Sequence, residues 1–108
     1  KMYADNDYLM DTHTAVAYKV YEDYKAATGD DTPAVIASTA SAYKFAESVA
    51  NSIGIDGDMN GFEYIDAVNE KTGVRVPKGL KNLDKKEIRH KGVIETDDMM
   101  KVVEQSVK

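Results

Sequence analysis

Pro33-Ala34-Val35-Ile36-Ala37-Ser38-Thr39-Ala40-Ser41 is the stretch that decides how this chain is read. Its first half is a short apolar run with two β-branched residues and no polar alternation, the pattern of a strand covered on both faces. Its second half is rich in hydroxyls, and loops at the carboxyl ends of parallel strands are where open α/β sheets bind ligands. We therefore expect a parallel strand at Ala34 to Ala37 that opens into a polar loop. The hydroxyls of Ser38, Thr39 and Ser41 can serve a cofactor, and they can equally satisfy loop backbone groups and cap the next helix. Both readings stand on the residues alone.

Upstream of that run, Asp11 is a short acceptor suited to capping, and Gly29 supplies a left-handed stop, so the spacing predicts a helix from Asp11 to Thr28. Ala17, Val20, Tyr21 and Tyr24 fall on one side of it and Lys19, Glu22, Asp23 and Lys25 on much of the other, which predicts a helix lying over a core. At its head, Asp11-Thr12-His13-Thr14 presents free amides and the positive end of the helix dipole. These residues either face an anion or a polarised ring, or serve as a cap beside a surface histidine.

Downstream, Phe45, Val49 and Ile53 recur at helical spacing before Gly54, and Asn60 with Glu63 forms a capping-box pattern for a helix from Gly61 to Thr72 that Gly73 ends. Phe62, Ile65 and Val68 are expected to face inward. Val74 to Leu83 reads as an irregular connection with a short strand at Val74-Arg75-Val76, and Lys91 to Glu95 as a further strand. Thr96 is expected to cap a last helix with Met100, Val103 and Val107 along one side. The order gives an α/β chain dominated by helices, with a few mainly parallel strands and too few of them for a complete doubly wound sheet. Strand amides without partners are costly, so neighbours are expected from a longer chain or from self-association.

The chain has 108 residues, 43% of them hydrophobic and 31% charged, which is the make-up of one globular domain and not of a disordered tail. Fourteen basic residues against nineteen acidic ones give a net charge of -5, a poor field for gathering nucleic acid. There is no cysteine, hence no disulfide, thiolate zinc site or cysteine nucleophile, and a cytoplasmic setting is the expectation. No apolar run approaches the length that spans a bilayer. The start at Lys1-Met2, without a basic-then-apolar leader, suggests an excerpt of a larger polypeptide.

Other candidates for chemistry fall away. His13 and His90 have no ligand-spaced partner, so no metal is expected. Asp56 to Gly61 resembles a calcium loop, but Ala67 stands where the bidentate acid belongs. Lys81, Lys85, Lys86, Arg89, His90 and Lys91 form one basic run without stacking aromatics, read as a solvated face.

Taken together and in order, Tyr8-Leu9-Met10-Asp11-Thr12-His13-Thr14-Ala15-Val16-Ala17, then Pro33 to Ser41 with Tyr43-Lys44-Phe45, resemble the carboxyl-terminal region of threonine synthase. Val76-Pro77-Lys78 and Thr96-Asp97-Asp98-Met99 extend the resemblance, which is weakest between Asp56 and Thr72. It implies a pyridoxal-phosphate enzyme of the tryptophan-synthase-like fold that converts O-phospho-L-homoserine and water to L-threonine and phosphate by β,γ-replacement. It also implies that Thr39 hydrogen-bonds the cofactor's pyridine nitrogen, and that His13, Thr12 and Thr14 lie beside the ring or the site entrance. A neutral hydroxyl at Thr39 would moderate how strongly the ring draws charge. The family's Schiff-base lysine, in a Ser-Phe-Lys-Asp-like motif, and its glycine-rich phosphate cradle have no counterpart here. Lys44 belongs to a different segment and has no assigned role. Ala42 and Ala46 stand where prolines are common in the family. The expectation is one carboxyl-terminal fragment over 1–108, inactive alone and completed by the amino-terminal part of the same polypeptide. The alternative is a stand-alone, non-catalytic α/β interaction module.

Overall fold

The computed structural model describes residues 1–107. A short helix α1 (Met2–Asn6) leads to the long α2 (Thr12–Thr28), and an irregular segment then runs to a 3-10 turn at Ala42–Phe45 that continues directly into α3 (Ala46–Ser52). After α4 (Gly61–Thr72) come two further 3-10 turns, Leu83–Lys85 and Thr96–Asp98, and α5 (Met99–Ser106).

Local chemistry sets the ends of the two strongest helices. The Asp11 side chain caps α2 by accepting from the His13 and Thr14 amides, and Gly29 closes the helix at φ 70°. For α4, Asn60 accepts from the Phe62 and Glu63 amides while the Glu63 carboxylate takes the Asn60 amide, and Gly73 closes the helix at φ 68°. These ends agree with the sequence expectation. At α5 the expected cap by Thr96 does not form; Thr96 lies inside the 3-10 turn, and no side-chain cap bond is made.

The core is built by α3 and α4 packed on each other. Ala42, Tyr43, Ala46, Val49 and Ala50 meet Tyr64, Ile65 and Val68, and Phe62, Val74, Val76 and Leu80 cover the edges. Buried hydroxyls find backbone partners: Tyr64 donates to the Gly57 carbonyl at 2.6 Å and Tyr43 donates to the Val74 carbonyl.

No strand forms among the described residues, which corrects the expectation of parallel strands within this chain. Residues 33–37 form no regular element and join no ladder, and Val35 is 98% exposed. At Val74 to Val76, side chains replace the ladder: the Val74 carbonyl accepts from Asn69 Nδ2 at 2.7 Å and from Tyr43, and the Val74 amide donates to Thr72 Oγ1. Lys91 to Glu95 is exposed, with Val93 at 94%.

A second correction concerns α2, whose expected inward side is largely open: Ala17, Val20 and Tyr24 are exposed, Tyr21 is half-buried, and only Thr14 of the whole helix is buried. The stripe of α5 is likewise open at Met100, Val103 and Val107. The exposed area is 8762 Å², against roughly 5,900 Å² for a compact chain of this mass. The radius of gyration is 19.0 Å, against about 13 Å for a compact domain of this length. The physical reason is that one small helix pair supplies the whole buried core. No helix among the described residues is long and apolar enough to cross a membrane.

Candidate functional site

The head of α2 and the hydroxyl-rich loop, 24 to 27 residues apart, meet in one polar cluster. At its centre is Asp11, only 2% exposed. Its carboxylate accepts from the His13 amide at 3.0 Å, the Thr14 amide at 3.3 Å, the Thr14 hydroxyl and, at 3.4 Å, the Ser38 hydroxyl. Thr14 Oγ1 and Ser38 Oγ lie 3.1 Å apart. Each hydroxyl carries one proton; that of Thr14 goes to the carboxylate, and the single proton of Ser38 is shared between Asp11 Oδ2 and Thr14 Oγ1. A buried carboxylate is thereby satisfied by partners from two distant segments, which fixes where the loop leaves the helix head.

Hydrogen bonding from the Thr14 hydroxyl is the chief reason that the Asp11 carboxyl is held below the usual aspartate range; burial opposes it, and the Thr14 and His13 amides and the His13 charge assist. A depressed acid stabilises the fold above its ordinary pKa, and that contribution is lost as pH falls through the folded value. We expect the Thr14 amide NMR signal to report loss of the cap on acidification below about pH 4. In Asp11→Asn, which can still accept at its amide oxygen, that acid transition should vanish. An unchanged transition in the variant would assign it to another group.

His13 is exposed, with its ring 4.8 Å from the Phe45 ring at a tilt of 51°. Its Nδ1 is 3.6 Å from Asp11 Oδ1 and 3.5 Å from the Thr12 hydroxyl. Lys44 Nζ lies 5.6 Å from the Phe45 ring centre, so His13 and Lys44 reach the same aromatic ring. Thr39 is exposed, next in the chain to the tethered Ser38. The structure thus gathers Thr12, His13, Thr14, Ser38 and the Lys44-Phe45 pair, with Thr39 in the adjoining loop. An apolar recess of about 190 Å³ lined by Tyr8, Met10, Tyr18 and Ile36 adjoins Thr14 and Ser38. Sequence reasoning named neither the partner role of Ser38 nor that of Phe45. A hydroxyl following an apolar run carries no mark of the carboxylate it will meet, and Phe45 is indistinguishable by spacing from a core residue.

Residues 14–107 match the family described as threonine synthase, C-terminal. The chain belongs to that family. No curated protein and no solved structure matches it. The matched span takes in the tethered loop, the α3/α4 core and α5, while Asp11, Thr12 and His13 lie just ahead of it. Threonine synthases use pyridoxal phosphate, and the donors present suit part of such a group. The polar groups here are the exposed hydroxyl of Thr39 and the Thr12 hydroxyl with the His13 ring 3.5 Å away. Among the described residues of the cluster, Lys44 is the one lysine or arginine.

Proposed function

We propose that this chain is the single carboxyl-terminal fragment, 1–108, of a threonine synthase that converts O-phospho-L-homoserine and water to L-threonine and phosphate. The observation that carries the reading is the family match over 14–107. It is supported by the apolar surface left open on α2, α5 and residues 33–37, which suits a chain that packs against more of the same polypeptide. In that setting Ala34 to Ala37 pairs as one of a few mainly parallel strands in a tryptophan-synthase-like fold. Its carboxyl end then delivers Thr39 to the pyridine nitrogen of the cofactor, with His13 and Thr12 beside the ring.

Bound pyridoxal phosphate supplies an electron sink for the carbanionic chemistry of the substrate. The residues of this chain position and tune. Thr39 gives a neutral hydroxyl rather than a carboxylate, Ser38 holds the loop to the helix head, and Asp11 holds Ser38. In this reading, which rests on the family match, the partners are the small phosphorylated substrate and the amino-terminal part, in a cytoplasmic setting. Neither nucleic acid nor a membrane belongs to this reading. Separated from its amino-terminal part, the chain is expected to self-associate through its open faces and to be inactive.

The test is release of inorganic phosphate with formation of threonine from O-phospho-L-homoserine. The polypeptide as its gene encodes it, supplied with pyridoxal phosphate, is expected to turn over, and residues 1–108 alone are not. Absence of turnover by the encoded polypeptide would overturn the assigned reaction, and threonine formation by residues 1–108 alone would overturn the fragment reading.

A further inference from the structure

Seven of the fourteen cations fall between Arg75 and Lys91, opposed within that stretch by Asp84 and Glu87 alone, in a chain whose net charge is -5. Three of the seven are gathered at one place. Arg75, Lys78 and Lys81, with Asn69 and Val76, line a recess of about 150 Å³. The four ion pairs among the described residues leave all three untouched.

The backbone builds this convergence. Gly73, left-handed at φ 68°, turns the chain back along α4, and Asn69 Nδ2 holds the Val74 carbonyl at 2.7 Å, which sets Arg75 beside the last turn of the helix. The Leu80 and Lys81 amides then donate to the Pro77 carbonyl at 2.9 and 3.1 Å, closing one helical turn. In such a turn Lys78 and Lys81, three apart, lie on one side. Val76 and Leu80 pack against the core and pin both ends of this arrangement. Asp66 lines an adjoining recess with Lys81 without forming an ion pair.

We propose that this recess binds the phosphate group of a small ligand. Like charges held together on a fixed backbone repel, and a matching anion relieves that repulsion. A carboxylate would balance only one of the three cations, whereas a phosphate carries about -1.5 to -2 at neutral pH and offers three acceptor oxygens. The Arg75 fork suits two of those oxygens, and the two lysines act as point charges. The volume equals about five waters, well under the ~300 Å³ at which drug-sized pockets begin, so the recess admits the phosphate and leaves any attached group outside. The site stands apart from the assigned reaction, since none of its lining residues belongs to the Asp11, Ser38 and Thr39 cluster.

The test is an NMR titration of the polypeptide as its gene encodes it, following the Asn69 side-chain amide and the Arg75 guanidinium at ionic strength held constant with chloride. Inorganic phosphate and glycerol phosphate serve as separate probes. Saturable shifts of both signals are expected, and the affinity read on the Asn69 amide is weakened at least tenfold by Arg75→Gln and by Lys81→Gln. Lys85→Gln and Arg89→Gln, in the same basic run but outside the recess, should change the affinity by less than twofold. Equal affinity for the two probes would mean that the free ion is a sufficient ligand. A preference of tenfold or more for the ester would assign the site to phosphorylated metabolites. Linear shifts without saturation, or equal losses in all four variants, would overturn the proposal in favour of diffuse counterion attraction.

Discussion

Tyr43→Ala is expected to abolish cooperative unfolding of the α3/α4 pair, whereas Tyr43→Phe should cost only about 1 kcal/mol. Tyr43 is 3% exposed at the start of the 3-10 turn that feeds α3, and it packs among Ala46, Val49, Ile65 and Val68 in the one core cluster. Truncating a buried aromatic removes transfer energy and leaves a cavity, about 3–5 kcal/mol together. Eight buried hydrophobic residues make up this core, and small cores rarely supply more than about 3–5 kcal/mol in total. The truncation therefore consumes the whole margin. The phenylalanine variant keeps the ring and removes the donor to the Val74 carbonyl, which still accepts from Asn69. Circular-dichroism melts check both variants, with Tyr64→Phe as a companion that loses the bond to Gly57 in the same way. A cooperative melt in Tyr43→Ala within a few degrees of the parent would show that the core lies elsewhere.

Why some of this was legible beforehand and some was not follows from range. The ends of α2 and α4 depend on residues no more than four apart, such as Asn60 with Glu63, so the residues themselves declare them. Strands depend on partners. Ala34 to Ala37 has the composition of a buried strand, yet the described residues offer it no ladder, and the run stays irregular and open. At Val74 the competitor is local: Asn69, Thr72 and Tyr43 satisfy the backbone groups that a strand would have used. Ile65 and Val68 were readable as core from their spacing, but Tyr43 sits at the end of a hydroxyl-rich stretch that disguises it, and Ala46 and Ala50 are small residues beside the Phe45 and Val49 positions that carry the periodic signal. In the candidate site the identities of Thr12, His13 and Thr39 were visible, whereas the Asp11 to Ser38 bond spans 27 residues and needs the folded chain to appear. The apolar stripe of α2 was also visible, and the structure shows it largely open, which fits a helix written for a larger assembly.

The second large effect concerns Thr39 in the polypeptide as its gene encodes it. Thr39→Ala is expected to lower kcat for threonine formation by about 10- to 100-fold, while Thr39→Ser stays within a few-fold. A hydrogen bond to a group that carries charge is worth about 1.5–3 kcal/mol, and each 1.4 kcal/mol is a factor of ten in rate. Serine keeps the hydroxyl and loses only a methyl, on a residue that is exposed here. Because the proposed partner is the ring nitrogen, the cofactor absorbance should shift in Thr39→Ala and not in Thr39→Ser. Ser38→Ala gives the matching contrast. It loosens the tether to Asp11 and Thr14 while leaving the Thr39 hydroxyl in place, so the same absorbance should broaden or shift less than in Thr39→Ala. Equal kcat in Thr39→Ala and the parent would remove Thr39 from the site and leave the Asp11, Thr14 and Ser38 cluster as a purely structural joint between helix and loop.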